Sequence, residues 1–193
     1  MGLVNKLRGI YEERMAPTIA RLLTNLSPNP NVYTVGGFLL AVAALVSAIA
    51  GLPALAIVLV AFSMAMDAVD GVIARHTGRS TPRGAFLDSS LDRLSDVAYH
   101  VIILILGVNP LIVLLMLGGS MAVPYLRAKG ESLGLKLSGV GLMERADRSI
   151  ALILIMMVSL TIPQYMNALS AAVAALIWLT VIERFARIYR FLG

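Results

Sequence analysis

Asp67, Asp70, Asp88 and Asp92 fall in a pattern that reads Asp67-x-x-Asp70-Gly71-x-x-Ala74-Arg75, eight residues, then Gly84-x-x-x-Asp88-x-x-x-Asp92. On helices, spacings of three and four put each pair on one face. If the two faces meet, four carboxylates crowd together. At an effective dielectric of about 20, each pair ~4 Å apart repels by roughly 4 kcal/mol. Protons or cations must then intervene, and two divalent ions would balance four negative charges. Donor sets made only of oxygen suit Mg²⁺, Mn²⁺ or Ca²⁺ and do not favour Zn²⁺. Two hard metals on shared carboxylates are a device for phosphoryl displacement. The competing reading pairs the acids with Arg75, Arg83 and Arg93 as interfacial salt bridges. The interleaved Gly71, Ala74 and Gly84 argue for the metal site, because small side chains let a flat ligand approach the backbone.

The elements that must carry these acids are membrane helices. The chain is 59% hydrophobic with mean hydropathy +0.85, too apolar for a soluble domain of this length. A single domain over 1–193 is expected, all-α and integral to the membrane. Six apolar spans run over 33–51, 54–75, 84–107, 110–129, 145–163 and 165–190, forming a bundle over 33–190. Residues 1–26 read as an interfacial amphipathic helix, ended by the turn Ser27-Pro28-Asn29-Pro30-Asn31. The start lacks an apolar core with a small-residue cleavage site, so no secretory signal is expected there. With no cysteine, disulfides, thiolate metal sites and cysteine nucleophiles are excluded.

Charge placement fixes the expected orientation. Lys6 to Arg21, then Arg75, Arg79 and Arg83, then Arg127 to Arg148, then Arg184, Arg187 and Arg190 all fall on one side of a six-span chain. The positive-inside rule makes that side cytoplasmic and puts both termini and the acids there, in a multi-pass cell-membrane protein. Intramembrane acids also mark ion-coupled transporters. That alternative asks for acids near mid-depth, whereas these lie at one face. Gly36-Gly37 and Gly118-Gly119 read as helix-packing positions.

The full pattern resembles the signature of the CDP-alcohol phosphotransferase family, and the six spans with a leading interfacial helix are similar too. The resemblance implies transfer of a phosphoryl-linked group from a CDP-alcohol to a second alcohol with release of CMP. It implies two divalent cations, Mg²⁺ or Mn²⁺, a CDP-lipid substrate, surrounding membrane lipids and a homodimer; no nucleic-acid partner is expected. By position, Asp67, Asp70 and Asp88 would hold the metals, and Asp92 would complete the second metal site and act as general base. Gly71, Ala74, Arg75, Thr81 and Gly84 would line the cytidine diphosphate pocket. Asn31-Val32-Tyr33-Thr34 resembles the family's Pro-Asn-x-x-Thr turn, which borders the nucleotide.

The second half of the chain bears on the acceptor. Arg127, Arg145 and Arg184 come from three consecutive spans at the depth expected for the aspartates. An arginine cluster suits an anionic phosphate, which serine, choline or ethanolamine lacks. Lys136 and Arg190 read as snorkelling anchors. The Glu144-Arg145-x-x-Arg148 stretch is similar to the branch of the family that uses inositol 1-phosphate, with diacyl or archaeal diether lipids. Pro124 departs from the small hydroxyl residue often found there. Glycerol 3-phosphate is the other anionic acceptor to weigh.

Overall fold

The computed structural model describes residues 27–193, so the interfacial helix expected over 1–26 lies outside the described residues. Six long helices follow: α1 (Pro30–Ile49), α2 (Pro53–Thr77), α3 (Pro82–Ile105), α4 (Pro110–Ser132), α5 (Arg145–Thr161) and α6 (Met166–Leu192). A 3₁₀ turn at Pro163–Tyr165 leads into α6, and no strand occurs among the described residues.

The first four helices each begin at a proline. Proline fits the first helical position because its fixed φ suits a helix and its missing N–H has no partner there. Side chains just upstream accept the next free amides: Asn29 Oδ1 from Asn31 N–H at 3.1 Å, Thr81 Oγ1 from Gly84 N–H at 3.0 Å, and Asn109 Oδ1 from Leu111 N–H at 2.9 Å. The cap at Asn29 moves the start of α1 back from the expected residue 33 to Pro30. The Asn31–Thr34 stretch is therefore the first turn of a helix and not a loop.

Two of the expected spans differ from the rest. α1, α2, α4 and the Pro163–Leu192 segment are long and apolar enough to cross a bilayer. α3 carries Arg83, Asp88, Asp92, Arg93 and Asp96, and α5 has 17 residues that begin with Arg145, Asp147 and Arg148. By length and composition the described part thus has four membrane-capable helices, short of the expected six. Large apolar side chains such as Leu39, Val46, Leu55, Leu114, Leu154 and Leu179 remain exposed, as on a protein whose solvent is lipid.

The residues gather into two compact units. The first comprises Met1–Val42 and Leu59–Ser95, of which residues 27 onward are described. Within it, α1 and α2 approach closely at Gly37: a Cβ there would stand 3.2 Å from Ser63 O and 3.3 Å from Met66 Cβ. Ser63 Oγ donates to Gly37 O at 2.5 Å, so the contact is also a hydrogen bond. Gly37 is a packing position as expected, whereas Gly36 has nothing within 4 Å of its would-be Cβ. α2 and α3 are joined by a short turn. Gly78, at φ +65°, terminates α2, and Arg79 N–H reaches back to Ala74 O at 3.1 Å. That left-handed residue followed by a bond to the preceding turn is a glycine-favoured helix stop.

The second unit comprises Ala43–Val58 and Asp96–Gly193. Here α4 packs on α6 through Gly119, whose Cβ would come 2.5 Å from Ile177 Cγ2. Trp178 Nε1 donates to Leu115 O at 3.0 Å beside it. Met116, Val123, Ile155, Met156 and Ile177 form its buried apolar interior.

The close approach at Gly37 generates a prediction. Gly37→Leu is expected to lose about 1–3 kcal/mol of stability by overpacking, read as a lowered unfolding midpoint in detergent; Gly36→Leu is expected to leave the midpoint near wild type.

Candidate functional site

The C-terminal half of α2 supplies Asp67 and Asp70, and the first turns of α3 supply Asp88. One carboxylate oxygen from each lies within 4.8 Å of the others. Asp70 is 5% exposed, and the other two are half-buried. The short α2–α3 turn is what makes this meeting possible, since it reverses the chain within four residues, 78–81. Three acids this close repel one another strongly, and partial burial removes the water that would screen them. An all-oxygen group of three carboxyls of this size fits a hard divalent cation. The expected metal ligands Asp67, Asp70 and Asp88 are thus gathered and could hold a metal ion.

Asp92 is not in that group. One helical turn beyond Asp88, it is buried, and its Oδ2 lies 3.5 Å from Arg93 Nη2. The ion-pair reading weighed for all four acids therefore has an instance at Asp92.

A cleft of about 170 Å³ adjoins the acids. α1 contributes Pro30, Asn31 and Thr34 to its wall; α2 contributes Asp70, Gly71, Ala74 and Arg75; α3 and its cap contribute Thr81, Gly84, Ala85 and Asp88. Of the Asn31–Thr34 stretch, Asn31 and Thr34 line the cleft. Val32 and Tyr33 do not: Val32 is exposed, and Tyr33 is buried with its hydroxyl donating to Ser27 O at 3.3 Å. Helix periodicity explains the split, because positions three apart share a face and the two between them do not. The small residues have local reasons. A Cβ at Gly84 would meet Asn31 Oδ1 at 3.1 Å and Thr81 Oγ1 at 3.2 Å, so glycine lets α3 begin against the first turn of α1. A Cβ at Gly71 would lie 3.4 Å from Arg75 Nη1.

Four cleft residues were not assigned to the site from sequence: Pro30, Arg79, Ser80 and Ala85. Arg79 is exposed, and its Nη1 donates to Pro28 O at 3.4 Å. Its position in the short turn between the two halves of the acidic pattern was the available signal. With Arg75, it gives the cleft two exposed guanidinium groups beside the carboxylates, a combination suited to a phosphate bridged to a cation. Thr34 also has a role that sequence did not suggest: its hydroxyl donates to Asp70 Oδ2 at 2.7 Å.

The three arginines expected at an acceptor site all belong to the second unit but differ in setting. Arg184, 2% exposed, donates from Nε to Val140 O at 3.0 Å and from Nη1 to Val123 O at 2.8 Å, with Nη2 4.0 Å from Glu144 Oε1. One turn earlier on α6, Thr180 Oγ1 accepts from Leu142 N–H at 3.2 Å and Met143 N–H at 3.0 Å. Together they pin the 133–144 loop to α6. Arg127 is exposed and paired with Glu131 at 2.9 Å, and Arg145 opens α5 half-buried.

A family profile described as CDP-alcohol phosphatidyltransferase matches residues 28–184. The chain is 53% identical over 184 residues to the archaetidylinositol phosphate synthase of Aeropyrum pernix, covering 95% of each. It is 38% identical over 191 residues to the archaetidylinositol phosphate synthase of Methanothermobacter thermautotrophicus, covering 97% of this chain and 95% of that protein. Among solved structures it resembles the Mycobacterium tuberculosis phosphatidylinositol phosphate synthase with CDP-DAG bound, at TM-score 0.78 and 28% identity, over 91% of this chain and 94% of that one. The same mycobacterial protein in complex with manganese and citrate matches at TM-score 0.76 and 26% identity, over 90% and 88%.

The contrast among the arginines is measurable without substrate. Arg184→Gln strips a charged donor from two backbone carbonyls and is expected to cost roughly 2 kcal/mol or more. Arg127→Gln removes an exposed ion pair and is expected to cost about 0–1 kcal/mol. Thermal unfolding of both variants checks this; equal midpoints would contradict a pinning role for Arg184.

Proposed function

The chain belongs to the CDP-alcohol phosphatidyltransferase family, and on that footing we propose that it transfers an archaetidyl-type group from a CDP-lipid to a hydroxyl of inositol 1-phosphate, releasing CMP. The observation that carries the reading is the Asp67–Asp70–Asp88 group beside a cleft that also presents Arg75 and Arg79. The identity to archaetidylinositol phosphate synthases supports the acceptor and the diether lipid.

In this reading Asp67, Asp70 and Asp88 hold two divalent cations, Mg²⁺ or Mn²⁺, with Asp92 completing the ligand set of the second. When bound, the cations neutralise the diphosphate and favour CMP as leaving group. Arg75 binds a phosphate oxygen through its planar fork, and Gly71, Ala74, Thr81 and Gly84 leave room for the nucleotide. Asp92 accepts the proton of the attacking hydroxyl. The acceptor oxygen bonds to the lipid-bearing phosphorus, the bond from that phosphorus to the CMP oxygen breaks, and the electron pair leaves on CMP. Arg127 and Arg145 contact the acceptor phosphate. Arg184 holds the loop around them and retains N–H groups beyond those on Val123 and Val140.

α3 and α5 are proposed to complete a six-span bundle, their charged ends at the cytoplasmic surface with the active site and both termini. A lipid substrate accounts for a site at that depth: the chains stay in the bilayer while the headgroup reaches the acids. The homodimer common in the family is proposed here too.

CMP release, measured with a CDP-diether lipid against inositol 1-phosphate, glycerol 3-phosphate, inositol and serine, tests the acceptor. Release is expected with inositol 1-phosphate; release with glycerol 3-phosphate alone would overturn the acceptor and leave the family standing. Asp92→Asn is expected to lower turnover by about 10²–10⁴-fold. Normal turnover in that variant would remove Asp92 from the role of base.

A further inference from the structure

Threonines inside helices ordinarily turn their hydroxyl back onto the carbonyl four residues earlier. Three among the described residues do so: Thr77 on Ile73 O at 2.8 Å, Thr161 on Met157 O at 3.0 Å and Thr180 on Leu176 O at 3.1 Å. Thr34 departs from them. Its Oγ1 is 3.3 Å from Pro30 O but 2.7 Å from Asp70 Oδ2. A hydroxyl has one proton to donate. The shorter contact is the stronger of the two. The proton therefore goes across to α2 and not back along α1.

The surroundings leave this bond little freedom. Thr34 is 8% exposed and Asp70 is 5% exposed. One turn further along α1, the Gly37–Ser63 contact sets the spacing and register of the two helices. A β-branched side chain in a helix also has few rotamers available.

We infer that Thr34 is a positioning residue for the metal ligand Asp70: its hydroxyl fixes the rotation of that carboxylate so that it faces Asp67 and Asp88. The role differs from the nucleotide contact that the sequence suggests for Thr34, and it rests on the proposed metal site. An ionised carboxylate has lone pairs for both a hydroxyl and a cation. Without the hydroxyl, Asp70 could turn away from the other two acids and the cation would lose an oriented ligand. Removing such an outer partner typically costs 10–100-fold in metal affinity.

Mn²⁺ titration of the purified full-length protein in detergent, read by the loss of free-ion EPR signal, tests the inference without turnover. Thr34→Val keeps the shape and removes the hydroxyl, and it is expected to weaken Mn²⁺ binding by roughly 10–100-fold. Thr34→Ser, which restores the hydroxyl, should recover most of the affinity. Thr34→Ala replaces Thr34→Val if the latter does not fold. Wild-type Mn²⁺ affinity in Thr34→Val would overturn the inference, and so would a raised KM for CDP-lipid with Mn²⁺ binding unchanged. Asp88→Asn separates the two readings: if it retains Mn²⁺, the metal site itself falls, whereas its loss together with normal binding in Thr34→Val sinks only the role of Thr34.

Discussion

Mutual repulsion among Asp67, Asp70 and Asp88 is the constraint on which the rest of this structure depends. One carboxylate oxygen from each lies within 4.8 Å of the others, where the C-terminal half of α2 meets the first turns of α3. Left to themselves, the acids would drive the ends of α2 and α3 apart. Several local features hold them together. Gly78 stops α2, and Thr81 with Pro82 starts α3 after a four-residue turn. Gly37 lets α1 lie against α2, and Ser63 fastens the contact. A short turn and a close helix pair fix the backbone stiffly enough that like charges can be kept near each other.

The acids and the later arginines differ in how far charge alone explains them. Three of the acids, Asp67, Asp70 and Asp88, gather into one group. The arginines do not: Arg184 is buried and spends donors on backbone carbonyls, while Arg127 is exposed beside Glu131. Buried guanidinium groups can be structural pins, because five fixed donors can satisfy carbonyls that a loop leaves open. The 133–144 loop, with positive φ at Gly134, Gly139 and Gly141, offers such carbonyls. A count of arginines therefore overstates how many are available to a ligand.

Periodicity errors account for most differences between the expected and observed elements. The Asn31–Thr34 stretch contains prolines and asparagines nearby and reads as a turn, yet Asn29 caps and Pro30 initiates a helix. The same residues signal both, and only the continuation of the backbone decides. Once it is helical, Asn31 and Thr34 share a face and Val32 and Tyr33 leave it. Likewise, α3 satisfies the length of a span, but its acids and arginines keep it below the apolarity of α1, α2 and α4.

The sequence by itself determined the helical class, the membrane character, the acidic pattern and its family, because spacing and hydropathy are local properties read along the chain. It also carried the metal chemistry, since oxygen-only donors narrow the ions whatever the fold. Tertiary structure alone decided which acids meet, placing Asp92 outside the close group of three. It turned the hydroxyl of Thr34 toward Asp70, brought Arg79 to the cleft and buried Arg184 against Val123 and Val140. Each of these depends on contacts between residues distant in the chain. Such contacts follow from helix register and approach, which single-helix patterns do not encode.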